Sequence, residues 1–169
     1  MEIFEQIKKT REYLDYIEEH CQNVQKAWEE IRTKCKDMFF IEDMNFFMNI
    51  DNNVKKHDLS KMSEYEFVQY RKAFYPSDNE TKYDMSEAWE HHKANNPHHW
   101  ERLTEEYKKG QHWIVHCVHM IIDWTAMGYK FGDTAKSYYE KNKDKIDIPD
   151  DAVKLIYQIF ERLENNEKT

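Results

Sequence analysis

A chain of 169 residues is one domain by size, long enough for a single sizeable core, and its three glycines and three prolines leave too few turn formers for an all-β fold. Charged residues make up 34% and aromatics 15%, the balance of a charged helical surface around bulky packed side chains. A formal charge of −8 argues against nucleic-acid backbone as a partner, yet leaves small anionic substrates open, because bound cations reverse the sign locally.

Cys21, Cys35 and Cys117 are odd in number and form no Cys-x-x-Cys pair. Neither a disulfide framework nor a zinc finger is indicated, and a reducing cytoplasm is the expected location. The first residues are charged from position 2, and no apolar run approaches the roughly 18 residues of a membrane span. No signal peptide and no membrane partner are expected.

Apolar residues at three- and four-residue steps, from Ile3, Ile7, Leu14 and Ile17 to Cys21, Val24, Trp28 and Ile31, predict a first helix over about 2–35. A second is expected over about 42–59, with Phe47, Ile50 and Val54 inward. Ser63 and Glu66 have the spacing of a capping box opening a third helix through Phe67, Tyr70 and Phe74. The run Pro76-Ser77-Asp78-Asn79 ends it in a turn.

Asp84 and Glu87 open a fourth helix carrying Met85, Ala88, Trp89 and His92. Asn95-Asn96-Pro97 breaks it, since the residue before a proline is pushed out of helical geometry. A short helix is expected from His98 to about Lys108, followed by Gly110. A strong helix over about 111–131 stops at Gly132 in the C-terminal cap position. Two more are expected near 134–144 and 150–165, the last after Pro149. The expectation is an all-α fold, one compact domain over 1–169 with roughly six to eight helices and no strand.

The dipeptide His57-Asp58 continues the inward stripe of the second helix. An adjacent imidazole and carboxylate can reach one metal ion, and the second carboxylate oxygen can bridge to another. A buried Asp is costly unless paired or metal-bound; the alternative is a carboxylate bonded to backbone donors or a nearby Lys. His20 borders the inward stripe of the first helix, where a lone His is more often a satisfied core residue than a ligand. His91, His92, His98 and His99 fall within nine positions between Trp89 and Trp100. His92 is the better inward candidate of its pair, His91 is expected to be exposed or to support the ligands from behind, and the break at Pro97 lets His98 and His99 turn back toward His92. The competing explanation is a histidine-rich packing corner. His112, His116, His119 and Asp123 step by four, three and four residues, one narrow helical stripe that is either part of a site, with His116 and His119 lining a cleft or holding ligands in place, or an exposed polar face. Asp123 is the best remaining carboxylate to join His20, His57 and Asp58.

The ordered series His20, His57-Asp58, His92, His98-His99, Asp123 resembles the HD-domain superfamily of metal-dependent phosphohydrolases, most closely its two-metal versions. The resemblance spans His20 to Asp123. It implies an HD-like helical domain in which His20, His57, Asp58 and Asp123 bind one metal while Asp58 bridges to a second held by His92 with His98 or His99. Lys61 matches a lysine that contacts phosphate or bridging solvent in some two-metal members. The run His57-Asp58-Leu59-Ser60-Lys61, with Glu66, Phe67, Tyr70 and the stretch Ala88 to Trp100, looks like a small bacterial and phage-associated branch of unassigned activity. The Gly-Tyr-Pro signature of the cyclic-dinucleotide-cleaving relatives is missing, so their substrate does not transfer.

The expected function is hydrolysis of a phosphate ester or nucleotide by one or two divalent ions (Mn, Fe, Co, Ni or Zn) that acidify a water. Asp58 and Lys61 are the expected catalytic residues. His116 or His119 is expected to protonate the leaving oxygen, with Tyr70, Arg71 and Trp100 near a nucleotide-like leaving group. Two other readings fit the same ligands: an HD-type di-iron oxygenase, and a non-catalytic binding protein that keeps metal for folding.

Overall fold

The computed structural model describes residues 2–38, 44–78, 84–110 and 113–165. The periodic N-terminal segment becomes one helix, α1 (Glu2–Lys34), about 50 Å long at 1.5 Å per residue. Its stripe Val24, Ala27, Trp28 and Ile31 is buried, whereas Ile3, Phe4 and Ile7 are exposed, so only the later part of the apolar pattern reaches the main core.

Helix α2 (Met44–Lys55) is pinned to α1 by a 2.6 Å hydrogen bond from Trp28 Nε1 to Asp51 Oδ1. It stops four residues earlier than expected, and a turn through His57 and Asp58 leads into a short 3-10 helix, Leu59–Met62. The remaining helices are α3 (Phe67–Phe74), α4 (Ser86–Asn95), α5 (Trp100–Lys108), α6 (Trp113–Phe131), α7 (Ala135–Asn142) and α8 (Asp150–Asn165). The fold is all-helical, with no strand among the described residues. The expected start at 42, Asn79 of the first turn, and positions 111 and 112 lie outside the described residues.

Two local expectations fail for identifiable reasons. Ser63 and Glu66 do not form a capping box: α3 begins at Phe67, and the Glu66 side chain makes no cap bond because it is fully buried elsewhere. His98 and His99 precede α5 instead of starting it, occupying the turn that Pro97 imposes. The opposite end of the chain follows local rules closely. Gly132, in the left-handed region at φ 69°, donates its N–H to Gly128 O at 2.9 Å and closes α6. Thr134 then caps α7 by accepting the Ser137 N–H at 3.0 Å.

α6 is the central element, packing against α1, α2, α5, α7 and α8. Val115, Cys117, Val118, Met120, Ile121 and Ile122 are buried on several of its sides, as expected of a helix enclosed by neighbours. The main core gathers these residues with the later half of α1 and with Ala152, Ile156, Ile159 and Phe160 of α8. A second, smaller cluster centres on Tyr13, Tyr70 and Ala88, joining the earlier half of α1 to α3 and α4. His20 lies on α1 at the boundary between the two. No helix among the described residues is long and apolar enough to cross a membrane.

Ile156 is fully buried in the main core, remote in sequence from the candidate site residues. Ile156→Ala should lower unfolding free energy by about 2–5 kcal/mol, as expected for a buried Ile truncated to leave a cavity. Urea titration monitored by circular dichroism measures this.

Candidate metal centre and its cleft

The chain leaves α2 through Asp58, whose φ of 56° and ψ of 19° make it the non-glycine with positive φ among the described residues. Such a conformation costs on the order of 1–3 kcal/mol and persists where the surroundings enforce it. It reverses the backbone between α2 and the 3-10 helix, so that His57 and Asp58, consecutive in sequence, face the same interior space. Both are about 5% exposed.

Four donor atoms meet there. His20 Nε2 from α1 lies 2.9 Å from His57 Nε2, 3.2 Å from Asp123 Oδ1 of α6 and 3.6 Å from Asp58 Oδ2. His57 Nε2 is 3.4 Å from Asp58 Oδ2 and 3.5 Å from Asp123 Oδ1. Asp58 turns its other oxygen, Oδ1, toward a second group: His92 Nε2 of α4 and His98 Nε2 are each 3.4 Å away. His99 joins His92 and His98 in a cluster whose donor atoms lie within 4.8 Å of one another.

These separations suit divalent ions. Bonds of about 2.1 Å to a tetrahedral or octahedral ion put adjacent donors about 3.0–3.4 Å apart. Asp58 Oδ1 is buried and accepts no hydrogen bond, and His99 Nε2 is likewise buried without a partner. Such atoms are costly unless something binds them. Nitrogen and oxygen donors without thiolate fit manganese, iron, cobalt, nickel or zinc.

Groups behind the donors fix the rings. His57 Nδ1 is 3.0 Å from His119 Nε2, and His92 Nδ1 is 2.8 Å from Glu66 Oε2, which leaves both Nε2 atoms free to face the centre. The other Glu66 oxygen takes His91 Nδ1 at 2.6 Å. Asn96 bonds to His92 O at 2.8 Å and to Ser60 Oγ at 2.7 Å, tying α4 to the 3-10 helix. Lys61 Nζ lies 2.6 Å from Asp58 Oδ2 with both groups buried.

The electrostatics are those of a cation site. Burial resists ionisation of Asp58, but His57, Lys61 and His20 outweigh it and hold the carboxyl well below its ordinary range. Asp123 is depressed in the same way, burial being overcome by His20 and His57. Burial opposes the charge on His57, yet Asp58 and Asp123 raise it to about 9. Burial together with neighbouring imidazoles lowers His99 to about 4 and His119 to about 3, so both rings stay neutral.

The structure thus brings together His20, His57, Asp58 and Asp123 as one set, with His92, His98 and His99 as a second. The remaining expected roles change. His119 is fully buried behind His57 and His116 does not line the cleft, so neither is placed to protonate a leaving group. Lys61 contacts Asp58 and lies 5.6 Å from the Tyr70 ring centre, beside the small cluster and not in the cleft. Tyr70 and Arg71 are buried on α3; of the three residues expected near a leaving group, Trp100 lines the cleft. His112 lies outside the described residues. Glu66 is the functional residue the sequence reading missed. Its signal was present, since it falls one helical turn before the inward Tyr70.

A cleft of about 420 Å³ opens on the centre, where Asp123, His98 and His99 form its inner end. Its walls are Trp89, Trp100, Trp124, Met127, Phe131 and Tyr138, and Glu101 and Asp133 are its other carboxylates. Gly128 also lines it; a Cβ there would come within 2.5 Å of Asp133 O, so the α6–α7 corner can fold back only over a glycine.

Residues 9–165 match a family of unknown function, DUF5662, and the chain belongs to it. No curated protein and no solved structure matches the chain.

The buried Asp58–Lys61 pair can be tested without reference to any activity. Lys61→Met should leave the Asp58 carboxylate short of its cation and destabilise the protein by about 3–5 kcal/mol in chelator-containing buffer, the usual cost of breaking a buried pair from one side. Urea unfolding in EDTA measures this, and saturating manganese should recover part of the loss by supplying positive charge at the same carboxylate.

Proposed function

We propose that this chain is a cytoplasmic metal-dependent phosphohydrolase of the HD type, acting on a small phosphate ester or nucleotide. The observation that carries the proposal is Asp58, whose two oxygens face two different sets of imidazoles at 3.4–3.6 Å. That arrangement supports two adjacent ions sharing one carboxylate, and it accords with the HD-like order of the ligands in the sequence.

Bound divalent ions would supply Lewis acidity, lowering the pKa of water from 15.7 toward about 7 and neutralising phosphoryl oxygens. The protein's own part is to hold the donors in register. Glu66 and His119 fix the rings of His92 and His57. Lys61 offsets one of the buried carboxylate charges. The cleft walls exclude water from the bound ester and orient it by contact with its organic part. With a surface charge of this sign, nucleic-acid backbone is not the proposed substrate.

Metal counting on folded variants tests the two positions. Protein purified without chelator should carry between one and two transition-metal ions, and chelation should lower its melting temperature. Asp58→Ala should lose both ions and all turnover. His92→Ala should keep about one ion, because His20, His57, Asp58 and Asp123 remain, yet lose most turnover. Equal metal loss in the two variants would sink the two-position arrangement.

Activity needs its own measurement. With manganese or cobalt added, a panel of phosphate mono- and diesters should show turnover near neutral pH. Silence across that panel, with dioxygen consumed by the ferrous protein, would replace hydrolysis with the oxygenase chemistry the same ligands allow. Silence on both with stoichiometric metal would leave a metal-stabilised binding protein.

A further inference from the structure

From the walls of the cleft we infer the class of ligand, a deepening that rests on the two-ion reading above: a compound with one phosphoryl or phosphonyl end and a flat aromatic, non-anionic body. The inner end of the cleft is the metal centre, at Asp123, His98 and His99. Beyond it the lining is aromatic and apolar, with Trp89 and Trp124 among its walls. A sugar or a short alkyl group would leave that surface unfilled, whereas a planar ring can stack on it; a base stacked on one aromatic residue is worth roughly 5- to 150-fold in affinity. The volume of about 420 Å³ lies within the range of pockets that enclose whole small molecules.

Charge sets the second half of the specificity. Glu101 and Asp133 line the cleft with Asp123, and among the described residues the lining contains no Lys or Arg. Two cations beside the lining are committed: Lys93 pairs with Glu90 at 2.7 Å, lies 3.9 Å from Glu101 and 5.5 Å from the Trp89 ring centre, and Lys141 pairs with Asp133 at 2.8 Å. One Glu101 oxygen is buried without a hydrogen-bond partner. A second anionic group on the ligand, far from the ions, would meet these carboxylates and no Lys or Arg among the described lining residues. The cleft therefore favours an aromatic monophosphate over a di- or triphosphate and over a sugar bisphosphate.

Binding of phosphonates, which contain no hydrolysable ester, tests this apart from catalysis. Calorimetric titration of cobalt-loaded protein should give about ten-fold tighter binding of phenylphosphonate than of methylphosphonate. The same ring bearing a remote charge, 4-carboxyphenylphosphonate, should bind at least five-fold more weakly than phenylphosphonate. Phe131→Ala, at a cleft-wall position 66% exposed and outside both ligand sets, should retain its cobalt and reduce the phenyl-over-methyl preference below about three-fold. Equal affinity for the phenyl and methyl compounds, no binding of either, tighter binding of the carboxylated ring, or an unchanged preference in Phe131→Ala would each overturn the inference. The two readings fail separately: phenyl preference without turnover of any ester removes hydrolysis and keeps the cleft assignment, whereas turnover without phenyl preference does the reverse.

Discussion

Asp58 is the constraint around which the molecule is arranged. A carboxylate only 4% exposed, on a residue in the left-handed region, carries both a desolvation cost and a conformational one. It is held because four separate parts of the chain converge on it. His20 comes from α1, Lys61 from the 3-10 helix, His92 from α4 and His98 from the turn after Pro97. Lys61 is a local partner, three residues on, but His20, His92 and His98 are distant in sequence, so the site exists only when the tertiary structure does. The candidate site and the fold are in this sense specified by the same contacts.

α6 shows how one helix serves both needs. Its apolar residues face five neighbouring helices, while His119 and Asp123, one turn apart, turn a short polar stripe toward the centre. Because packing around α6 fixes its rotation, the direction of Asp123 is set by Ile121, Ile122 and their contacts as much as by its own hydrogen bonds. The same helix ends in the Gly128–Gly132 corner that shapes the cleft. A single rigid element thus positions the Asp123 carboxylate, the imidazole that holds His57 and a wall of the cleft.

Helical periodicity was readable where burial is one-sided, as in α8 and the later part of α1, and the fold class followed from those patterns. Local signals misled where tertiary demands prevail. Ser63 and Glu66 have capping-box spacing, but the imidazoles of half-buried His91 and buried His92 claim the Glu66 carboxylate and the cap is forgone. His57 and Asp58 continue the α2 pattern by count, yet the helix ends before them because a straight helix would point successive side chains about 100° apart. The ligand residues could be picked out by type and order; which ring nitrogen faces inward, and which residue holds the ring, depends on neighbours distant in the chain. His119 illustrates this. Its stripe and a part in holding another donor in place were legible, but not that the ring it holds is His57.

The small cluster of Tyr13, Tyr70 and Ala88 has a consequence for how the molecule opens. It has far less buried apolar surface than the main core and holds α3 and α4 against the earlier half of α1. Cooperative units of this size have lower opening free energies than the global fold. If α3 and α4 lift as one such unit, Glu66 and His92 leave together, while His20, His57 and Asp123 stay on the larger body. The second ligand set would then dissolve without unfolding the protein, and occupancy there would act as a latch whose strength is written in the hydrogen-exchange protection of α3 and α4.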